Sequence, residues 1–382
     1  MTLLRQSLAL SAMALRSLPQ RLWPSLVIVM SMGCVVGVLL SMLSETAGLL
    51  RAYETGGDPS RAVVISANAF GTLSRNDVAT ILDAPGIARA GDGTPVADAE
   101  IQMWIPPTKG YTINSPELRG LGAAGLALRP GFRIVSGRAY RPGTQELIVG
   151  LKAQRAFGLK VGDRVILPNG EWPIVGAFSA AGGILEGQLA GDAETLLSAS
   201  RISSFGSVLV QLQGPTAFDS FKRWLTGNPS LGVTAERQSD YDVRTANRFA
   251  AFFTKVAYAI GIVMALGALF GSVKILYATV SSRTREIGTL RALGYAPVSV
   301  AASVIAETVV LALAGSFVGA FLAWLLFSGQ IIADNQNVFE ATMTLRLLLL
   351  GVGWAAGIAI LGSLPPAIRA ARLSVSEALR TA

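Results

Sequence analysis

Four long apolar stretches constrain this chain more than any other feature, because each is long enough to cross a lipid bilayer. Crossing takes about 20 residues at about 1.5 Å each. The stretches cover 25–44, 256–273, 298–327 and 347–368, and Glu307 in the third is the only charged residue in any of them. A buried core helix could explain one such stretch but not four. The sequence therefore predicts an α-helical membrane protein with four transmembrane helices.

The first stretch resembles a signal peptide in one respect, because basic residues precede it. Its apolar run is longer than that of a signal peptide, and no small-x-small cleavage site follows it. We therefore expect a retained helix. Leucines recur at near-helical spacing over residues 1–24, with Arg5 and Arg16 between them. This pattern predicts an amphipathic helix on the cytoplasmic surface of the membrane, in contact with lipid.

The formal net charge of +8 is concentrated beside the apolar stretches. Residues 46–250 hold 20 basic and 18 acidic residues and are close to balance. Short cytoplasmic loops are enriched in Lys and Arg, so we expect both termini and the 279–297 loop in the cytoplasm and 46–250 outside. The charge then reports topology, and no nucleic-acid partner is expected. The flanking charged residues are Arg5, Arg16, Arg21, Arg283, Arg285, Arg291, Arg369, Arg372 and Arg380, against Glu286 and Glu377.

The region 46–250 has the composition of a mixed α/β domain. Residues 62–67 and 207–213 are rich in β-branched residues and predict strands. Each precedes a helical pattern, at 74–84 and 216–227, and Ser74 is a candidate N-cap. Strand-then-helix units at both ends predict one α/β subdomain formed by 50–104 and 201–248.

The middle of the region, 105–200, is Gly-rich and contains short strand-like pieces. Asn169-Gly170 between two of them predicts a β-hairpin. We therefore expect an inserted β-rich subdomain. Its Trp172, together with Trp104 and Trp224, is predicted to lie in the core.

Catalytic and nucleotide-binding patterns are missing from the sequence. There is no His and only one Cys, so a Ser-His-Asp triad, H-E-x-x-H and C-x-x-C are all excluded. No G-x-x-x-x-G-K-[ST] occurs, so the chain has no P-loop of its own. We predict no catalytic residue, no metal site and no bound cofactor, and the chain is not expected to be an enzyme. The substrate-binding residues cannot be assigned.

The most distinctive local pattern is SSRTREIGTLRALGYAP at 281–297. Good helix formers run from Arg283 to Leu293, and Gly294 predicts the helix end. Apolar residues recur along it as a stripe, at Ile287, Leu290 and Leu293. An ordinary positively charged loop and a helix that docks into a groove on a partner both fit this pattern.

Small residues at four-residue spacing occur once in each apolar stretch and permit close helix approach. Packing within one chain and a dimer interface both remain open for them. The pairs are Gly33 and Gly37, Gly267 and Gly271, Gly315 and Gly319, and Gly353 and Gly357. Glu307 is an intramembrane polar residue, which marks either a functional site or a structural partner for a neighbouring helix or for the 283–294 segment.

The pattern R-x-R-E-I-G-x-L-R-A-x-G, with Glu307 and Gly315-x-x-x-Gly319 after it, resembles the permease subunits of MacB/FtsX-type ABC transporters. The stretches 137–178 and 365–380 are similar to the periplasmic core domain and the C-terminal pattern of that family. The resemblance implies a coupling helix that contacts a cytoplasmic ABC ATPase. Its interface residues would be Arg283, Arg285, Glu286, Ile287, Gly288, Leu290, Arg291, Leu293 and Gly294.

The resemblance also implies the wider organisation. A homodimer in the bacterial inner membrane would use ATP and Mg held by a separate ATPase, with a periplasmic adaptor protein and an outer-membrane channel as further partners. Export is the expected function, and a signal transmitter controlling a cell-wall hydrolase or a complex for lipoprotein release are the alternatives. The expected boundaries are transmembrane helices at 25–49, 249–278, 298–327 and 346–368, a periplasmic loop at 328–345 and a cytoplasmic tail at 369–382.

Overall fold

The computed structural model divides the chain into two compact units. The helical unit comprises Met1–Thr46, Phe252–Ser328 and Thr342–Ala382, and the α/β unit comprises Ala47–Ala251 and Gly329–Ala341. The structure describes residues 3–17, 22–54, 57–68, 71–104, 116–129, 131–167, 169–333 and 337–373, with the backbone alone at 3–5 and 14–17. The predicted tail beyond 373 therefore lies outside the described residues.

Four of the helices, α2 (Leu22–Glu54), α7 (Gln238–Ser282), α9 (Pro297–Phe327) and α10 (Leu345–Arg372), are long and apolar enough to cross a membrane. A mixed α/β domain lies between the first and the second of them along the chain. The predicted fold class is thereby confirmed. In chain order the α-helices of the described residues are α1 (Leu3–Ser17), α2 (Leu22–Glu54), α3 (Arg75–Leu82), α4 (Leu151–Phe157), α5 (Ala193–Ser200), α6 (Phe218–Thr226), α7 (Gln238–Ser282), α8 (Thr284–Ala292), α9 (Pro297–Phe327) and α10 (Leu345–Arg372).

The helical unit has an apolar core and an apolar exterior. Met32 and Val36 of α2 are fully buried with Ala312 of α9 and Ala355 of α10. Large apolar side chains on the same helices are exposed, among them Phe317. A helix that is hydrophobic all round is typical of a membrane span, so the exposed side chains fit contact with lipid. The chain is a membrane protein.

Two of the four glycine pairs lie at the contact between α2 and α9. A Cβ on Gly33 would lie 3.1 Å from the carbonyl oxygen of Gly315, and a Cβ on Gly37 would lie 3.3 Å from that of Gly319. A Cβ on Gly315 would approach the Val29 carbonyl oxygen to 2.5 Å. These backbones touch because no side chain separates them. Gly33, Gly37, Gly315 and Gly319 therefore serve packing within the chain.

The other two pairs have open surroundings. A Cβ on any of these glycines would meet nothing within 4 Å among the described residues, apart from its own local backbone. These faces of α7 and α10 are therefore available to lipid or to a second copy of the chain. The residues are Gly267, Gly271, Gly353 and Gly357.

The α/β unit is built on one ten-stranded mixed sheet. The strands of the described residues are β1 (Arg61–Ser66), β2 (Leu73–Ser74), β3 (Ala97–Trp104), β4 (Glu117–Leu121), β5 (Phe132–Gly137), β6 (Leu147–Gly150), β7 (Arg164–Leu167), β8 (Gly170–Ala180), β9 (Leu189–Asp192), β10 (Ser204–Phe205), β11 (Ser207–Gln211), β12 (Val233–Arg237), β13 (Ile331–Ala333) and β14 (Val338–Glu340). The order in the large sheet is β12-β1-β11-β3-β4-β9-β6-β8-β5, with β7 paired to β8. Antiparallel pairing of β3 with β4 joins strands of the predicted α/β subdomain to strands of the predicted insertion.

Local signals in the sequence place several of these elements. Ser74 caps α3 and exchanges hydrogen bonds with Asp77 in a capping box, as its position predicted. Gly170 begins β8 at φ +131° and follows β7 in an antiparallel pair, so the predicted hairpin forms. Trp172 is fully buried, whereas Trp104 is 48% exposed, which makes the prediction of Trp104 as a core residue wrong.

The segment between α9 and α10, predicted as a loop, contains a two-stranded ribbon. Its strands β13 and β14 pair antiparallel. The ribbon belongs to the α/β unit, where a Cβ on Gly48 or Gly187 would clash with the carbonyl oxygen of Glu340 or Val338. The second part of this segment therefore packs against glycine backbones and does not simply link two helices.

The helix contact at Gly315 yields a test with a matched control. Gly315→Leu would force α2 and α9 apart, because the new side chain would overlap backbone atoms of α2. Overpacking of this kind costs about 1–3 kcal/mol, so thermal unfolding of the purified chain in detergent should begin several degrees lower. Gly353→Leu adds the same side chain where nothing lies within 4 Å and should leave the unfolding temperature close to wild type. Equal effects of the two substitutions would contradict the packing described here.

Candidate functional site

Helix α8 forms a separate short helix between the two long helices α7 and α9. It begins after Arg283 and ends at Ala292. Gly294, at φ +91°, reverses the backbone, and Pro297 occupies the first turn of α9. Glycine accepts the left-handed conformation without strain, and proline suits a first helical turn. These two residues explain why the helix stops where it does.

The apolar stripe of this segment is divided between the inside and the outside of the helical unit. Ile287 is 6% exposed and packs with Leu10, Val280 and Val300. Leu290 packs against the same cluster, whereas Leu293 is 72% exposed. The prediction that all three face a partner therefore does not match the observed burial, since two of them hold α8 to its own unit.

The polar residues of α8 are divided in a similar way. Gly288 is buried beside Ile287. Arg285, Glu286 and Thr289 are exposed, as are Leu293 and Gly294. The exposed face of α8 is therefore small and mostly polar, with one large apolar residue at its end.

Glu307 forms an ion pair with Arg283, which lies immediately before α8. The guanidinium Nη1 donates to Oε2 of Glu307 at 3.0 Å, and both side chains are largely buried. A carboxylate inside an apolar helix is costly unless it is paired. The structure thus places Glu307 as a partner of the 283–294 segment, one of the two interpretations that its position allowed.

Arg291 fixes the other end of α8. Its Nη1 donates to the carbonyl oxygen of Ala371 at 2.6 Å and to that of Leu373 at 3.4 Å. These carbonyls lie at the end of α10, where the last helical carbonyls lack partners and the helix dipole favours a cation. Arg291 therefore ties α8 to α10 and does not belong to the exposed face.

Helix α1 supports the same region from the N-terminal side. Leu10 is buried against Ile287 and Val300. The Ser7 hydroxyl donates to Ser299 Oγ at 3.2 Å. A helix therefore forms over Leu3–Ser17, within the segment predicted to be an amphipathic helix. Its Leu10 covers Ile287 of α8 and Val300 of α9.

The part of the chain that holds α8, α9 and α10 matches a known family. The model of the FtsX-like permease C-terminal family aligns with residues 258–375. This segment is an FtsX-like permease domain. The match supports, over this part of the chain, the resemblance to MacB/FtsX-type permeases predicted from the sequence.

The FtsX-like permease domain lies within a chain that resembles larger transporters only in part. The macrolide export ATP-binding/permease protein MacB of Nitrobacter winogradskyi is 36% identical over 113 residues, 28% of this chain, and the chain spans 16% of that protein's length. The crystal structure of the periplasmic region of MacB from Actinobacillus actinomycetemcomitans aligns with 52% of this chain and 98% of its own, at 16% identity and a TM-score of 0.39. The extracellular domain of the noncanonic ABC-type transporter YknZ from Gram-positive bacteria aligns with 46% and 99%, at 14% identity and a TM-score of 0.36.

A second polar cluster lies in the α/β unit, away from the permease domain in sequence. Arg119 of β4 and Arg129 both bind the Glu100 carboxylate of β3, at 2.9 and 2.7 Å. Arg129 also lies 3.9 Å from Asp98. Glu117 accepts hydrogen bonds from the side chains of Gln102 and Gln188. The cluster therefore provides ion-pair and hydrogen-bond partners for several buried charged groups, which would otherwise be costly to bury.

The sequence contains one signal for this cluster, which lies outside the motifs described above. Asp98 and Glu100 alternate with less polar residues in β3 and are both buried. Residues two apart share one face of a strand. A polar face on a buried strand predicts partners of opposite charge, but the sequence does not identify them.

Burial changes the proton affinity of this cluster. It raises the pKa of Asp98 to about 8, with the neighbouring Glu100 charge as a further cause. Burial likewise raises the pKa of Glu117 to about 7. Burial alone would raise the pKa of Glu100 too, but the two arginines beside it lower that pKa overall. Asp98 and Glu117 therefore keep their protons at a pH where exposed carboxyl groups have lost theirs.

The ion pair at the base of α8 can be tested by removing one partner. Glu307→Gln leaves the largely buried Arg283 guanidinium with Glu286 alone, whose exposed carboxylate lies 3.8 Å from Nε. Loss of a buried partner costs about 3 kcal/mol in comparable cases. We expect a clear loss of thermal stability in detergent, partly restored in the exchanged pair Arg283→Glu with Glu307→Arg. Glu286→Gln removes the other carboxylate near Arg283, which is 69% exposed, so its effect should stay within about 0.5 kcal/mol. If Glu307→Gln behaved like Glu286→Gln, the pair would have no structural role.

The buried carboxyl groups predict how stability depends on pH. Unfolded carboxyl groups titrate near pH 4, whereas Asp98 and Glu117 titrate at about 8 and about 7 in the folded chain. The folded state binds more protons between these limits, so the free energy of unfolding should fall as pH rises from about 5 to about 8. Glu117→Gln should reduce the slope, measured by thermal unfolding at several pH values. Glu171→Gln, at an exposed ion pair, should not. A stability that rises with pH across this window would contradict the assignment.

Proposed function

We propose that this chain is the membrane permease subunit of an ABC transporter in the bacterial inner membrane. Both termini and α8 would face the cytoplasm, and the α/β unit would lie in the periplasm. The FtsX-like permease domain supports the class of protein. The concentration of arginines before α2, around α8 and after α10 supports the orientation, because positive residues are retained on the cytoplasmic side.

We propose that ATP and Mg bind to a separate cytoplasmic ABC ATPase. The sequence contains no P-loop pattern, so this chain would bind no cofactor of its own. The relative from Nitrobacter winogradskyi is named for both ATP binding and permease function.

The division of α8 into a fixed and an exposed face is the observation that carries this proposal. Ile287 and Leu290 hold one face inside the helical unit, and Arg283 and Arg291 fix its two ends to α9 and α10. The opposite face is free to dock into a groove on the ATPase. A push on that face would be transmitted to α9 and α10, because the fixed side of α8 leaves little freedom to absorb it.

The transported substrate would be moved outward by motion of the α/β unit. Helix α7 is continuous over 45 residues, more than twice the about 20 residues that a membrane span needs, and a stiff helix suits mechanical transmission.

The open glycine faces of α7 and α10 offer surfaces for a second copy in a homodimer. A periplasmic adaptor protein and an outer-membrane channel would complete an export path. The export function in the name of the MacB relative favours this route over signalling or lipoprotein release.

Substitutions on the exposed face of α8 test the proposal directly. The chain would be purified with the ABC ATPase encoded next to its gene, and ATPase binding and hydrolysis would be measured in nanodiscs. Arg285→Ala combined with Leu293→Asp should weaken ATPase binding at least about tenfold, which corresponds to 1.4 kcal/mol. The helical unit should keep its thermal stability, because neither side chain is buried.

A matched control places the same kinds of change outside α8. Arg164→Ala combined with Val135→Asp alters exposed positions of the α/β unit and should leave ATPase binding unchanged. If the α8 variant assembles with the ATPase and hydrolyses ATP as well as wild type, α8 is not the coupling site.

A further inference from the structure

The α/β unit contains a cavity that the permease role does not use. Its volume is about 250 Å³. The end of α2, the start of α7 and strands β3 and β4 contribute to its lining. Drug-sized ligands occupy pockets of about 300–1,000 Å³, so this cavity suits a small molecule or one functional group of a larger one.

The arginines in the wall already have carboxylate partners. Arg119 and Arg129 both direct their guanidinium groups to Glu100, at 2.9 and 2.7 Å. Asp98 lies close to Arg129 as well. Glu100 therefore matches one of the two positive charges. Asp98 and Glu117, whose pKa values burial raises to about 8 and about 7, match the other only once they lose their protons. An anionic ligand would have to compete with these carboxylates for the arginines.

Two hydrogen-bond acceptors in the wall lack donors. Gln238 is 8% exposed, and its Oε1 atom has no hydrogen-bond partner among the described residues. Asp242 lines the same cavity. Its carboxyl group accepts no hydrogen bond from a described residue, although the charges of Arg119 and Arg129 act on it from a distance. The two residues are four positions apart in α7 and therefore lie on one face of the helix.

An unpaired carboxylate and an unpaired amide oxygen require a donor, and a buried acceptor left unpaired is costly. An ammonium group supplies three N–H donors and a positive charge. Trp104 and Tyr241 also line the cavity, and aromatic rings attract such cations. A metal ion fits less well, because no group of three acidic, Cys or His side chains among the described residues is placed to hold one.

We propose that this cavity binds the ammonium group of a small organic amine through Asp242 and Gln238. Burial raises the pKa of Asp242 to about 7, so its carboxylate supplies the charge above that pH. Gln238 Oε1 accepts a second hydrogen bond. The proposal concerns the α/β unit alone and does not depend on the permease role or on an ATPase.

The test uses the full chain in nanodiscs and three probes of similar size. n-Butylammonium, butyrate and butanol would be titrated by calorimetry in a buffer without amines. We expect saturable binding of n-butylammonium and none of the other two. Asp242→Asn should weaken that binding at least about tenfold. Asp240→Asn makes the same change two residues away at an exposed position outside the cavity and should alter it less than about twofold.

A second variant covers the case in which Asp242→Asn fails to fold. Gln238→Glu adds a second carboxylate beside Asp242 and should tighten n-butylammonium binding several-fold. The proposal is overturned if n-butylammonium does not bind the folded chain, if butyrate binds in its place, or if a folded Asp242→Asn binds as wild type does. An unchanged affinity in Gln238→Glu would likewise overturn it.

Discussion

The ion pair between Arg283 and Glu307 is the interaction on which the candidate coupling site depends. A carboxylate nearly three turns into an apolar helix is stable only with a partner, and Arg283 supplies it at 3.0 Å. The pair fixes the beginning of α8, while Arg291 fixes its end to carbonyl oxygens of α10. Helix α8 is therefore held at both ends by polar contacts and along one face by Ile287. Its position follows that of α9 and α10.

Close contact between the backbones of α2 and α9 constrains the helical unit as strongly as the polar contacts constrain α8. Gly33 and Gly315 let α2 and α9 approach until carbonyl oxygens nearly meet the opposite helix. Such interfaces move as rigid bodies or between discrete packings, because little space exists for gradual adjustment. By contrast, the open glycine pair of α7 has no packed neighbour among the described residues, so lipid or a second copy can contact that face. The two kinds of glycine pair are identical in sequence spacing and differ only in what the fold brings opposite them.

Features set by local sequence were predictable, and features set by distant partners were not. Length and composition alone identified the four apolar helices, and Ser74 marked a helix start because capping involves neighbouring residues. The contact of Arg119 with Glu100 spans 19 residues and arises only when β3 and β4 pair. The stripe containing Ile287 was ambiguous for a different reason. Helical spacing shows that one face is apolar, but it does not show whether that face meets the same chain or a partner.

In the proposed orientation, α8 and the α/β unit lie on opposite sides of the membrane. Single cysteines at Thr289 of α8 and Ser220 of α6, both exposed, would be introduced after Cys34→Ala removes the only native cysteine. An impermeant maleimide applied to intact spheroplasts should label the cysteine at position 220 and should reach position 289 only after lysis. Labelling of position 289 in intact spheroplasts, with position 220 protected, would contradict the account.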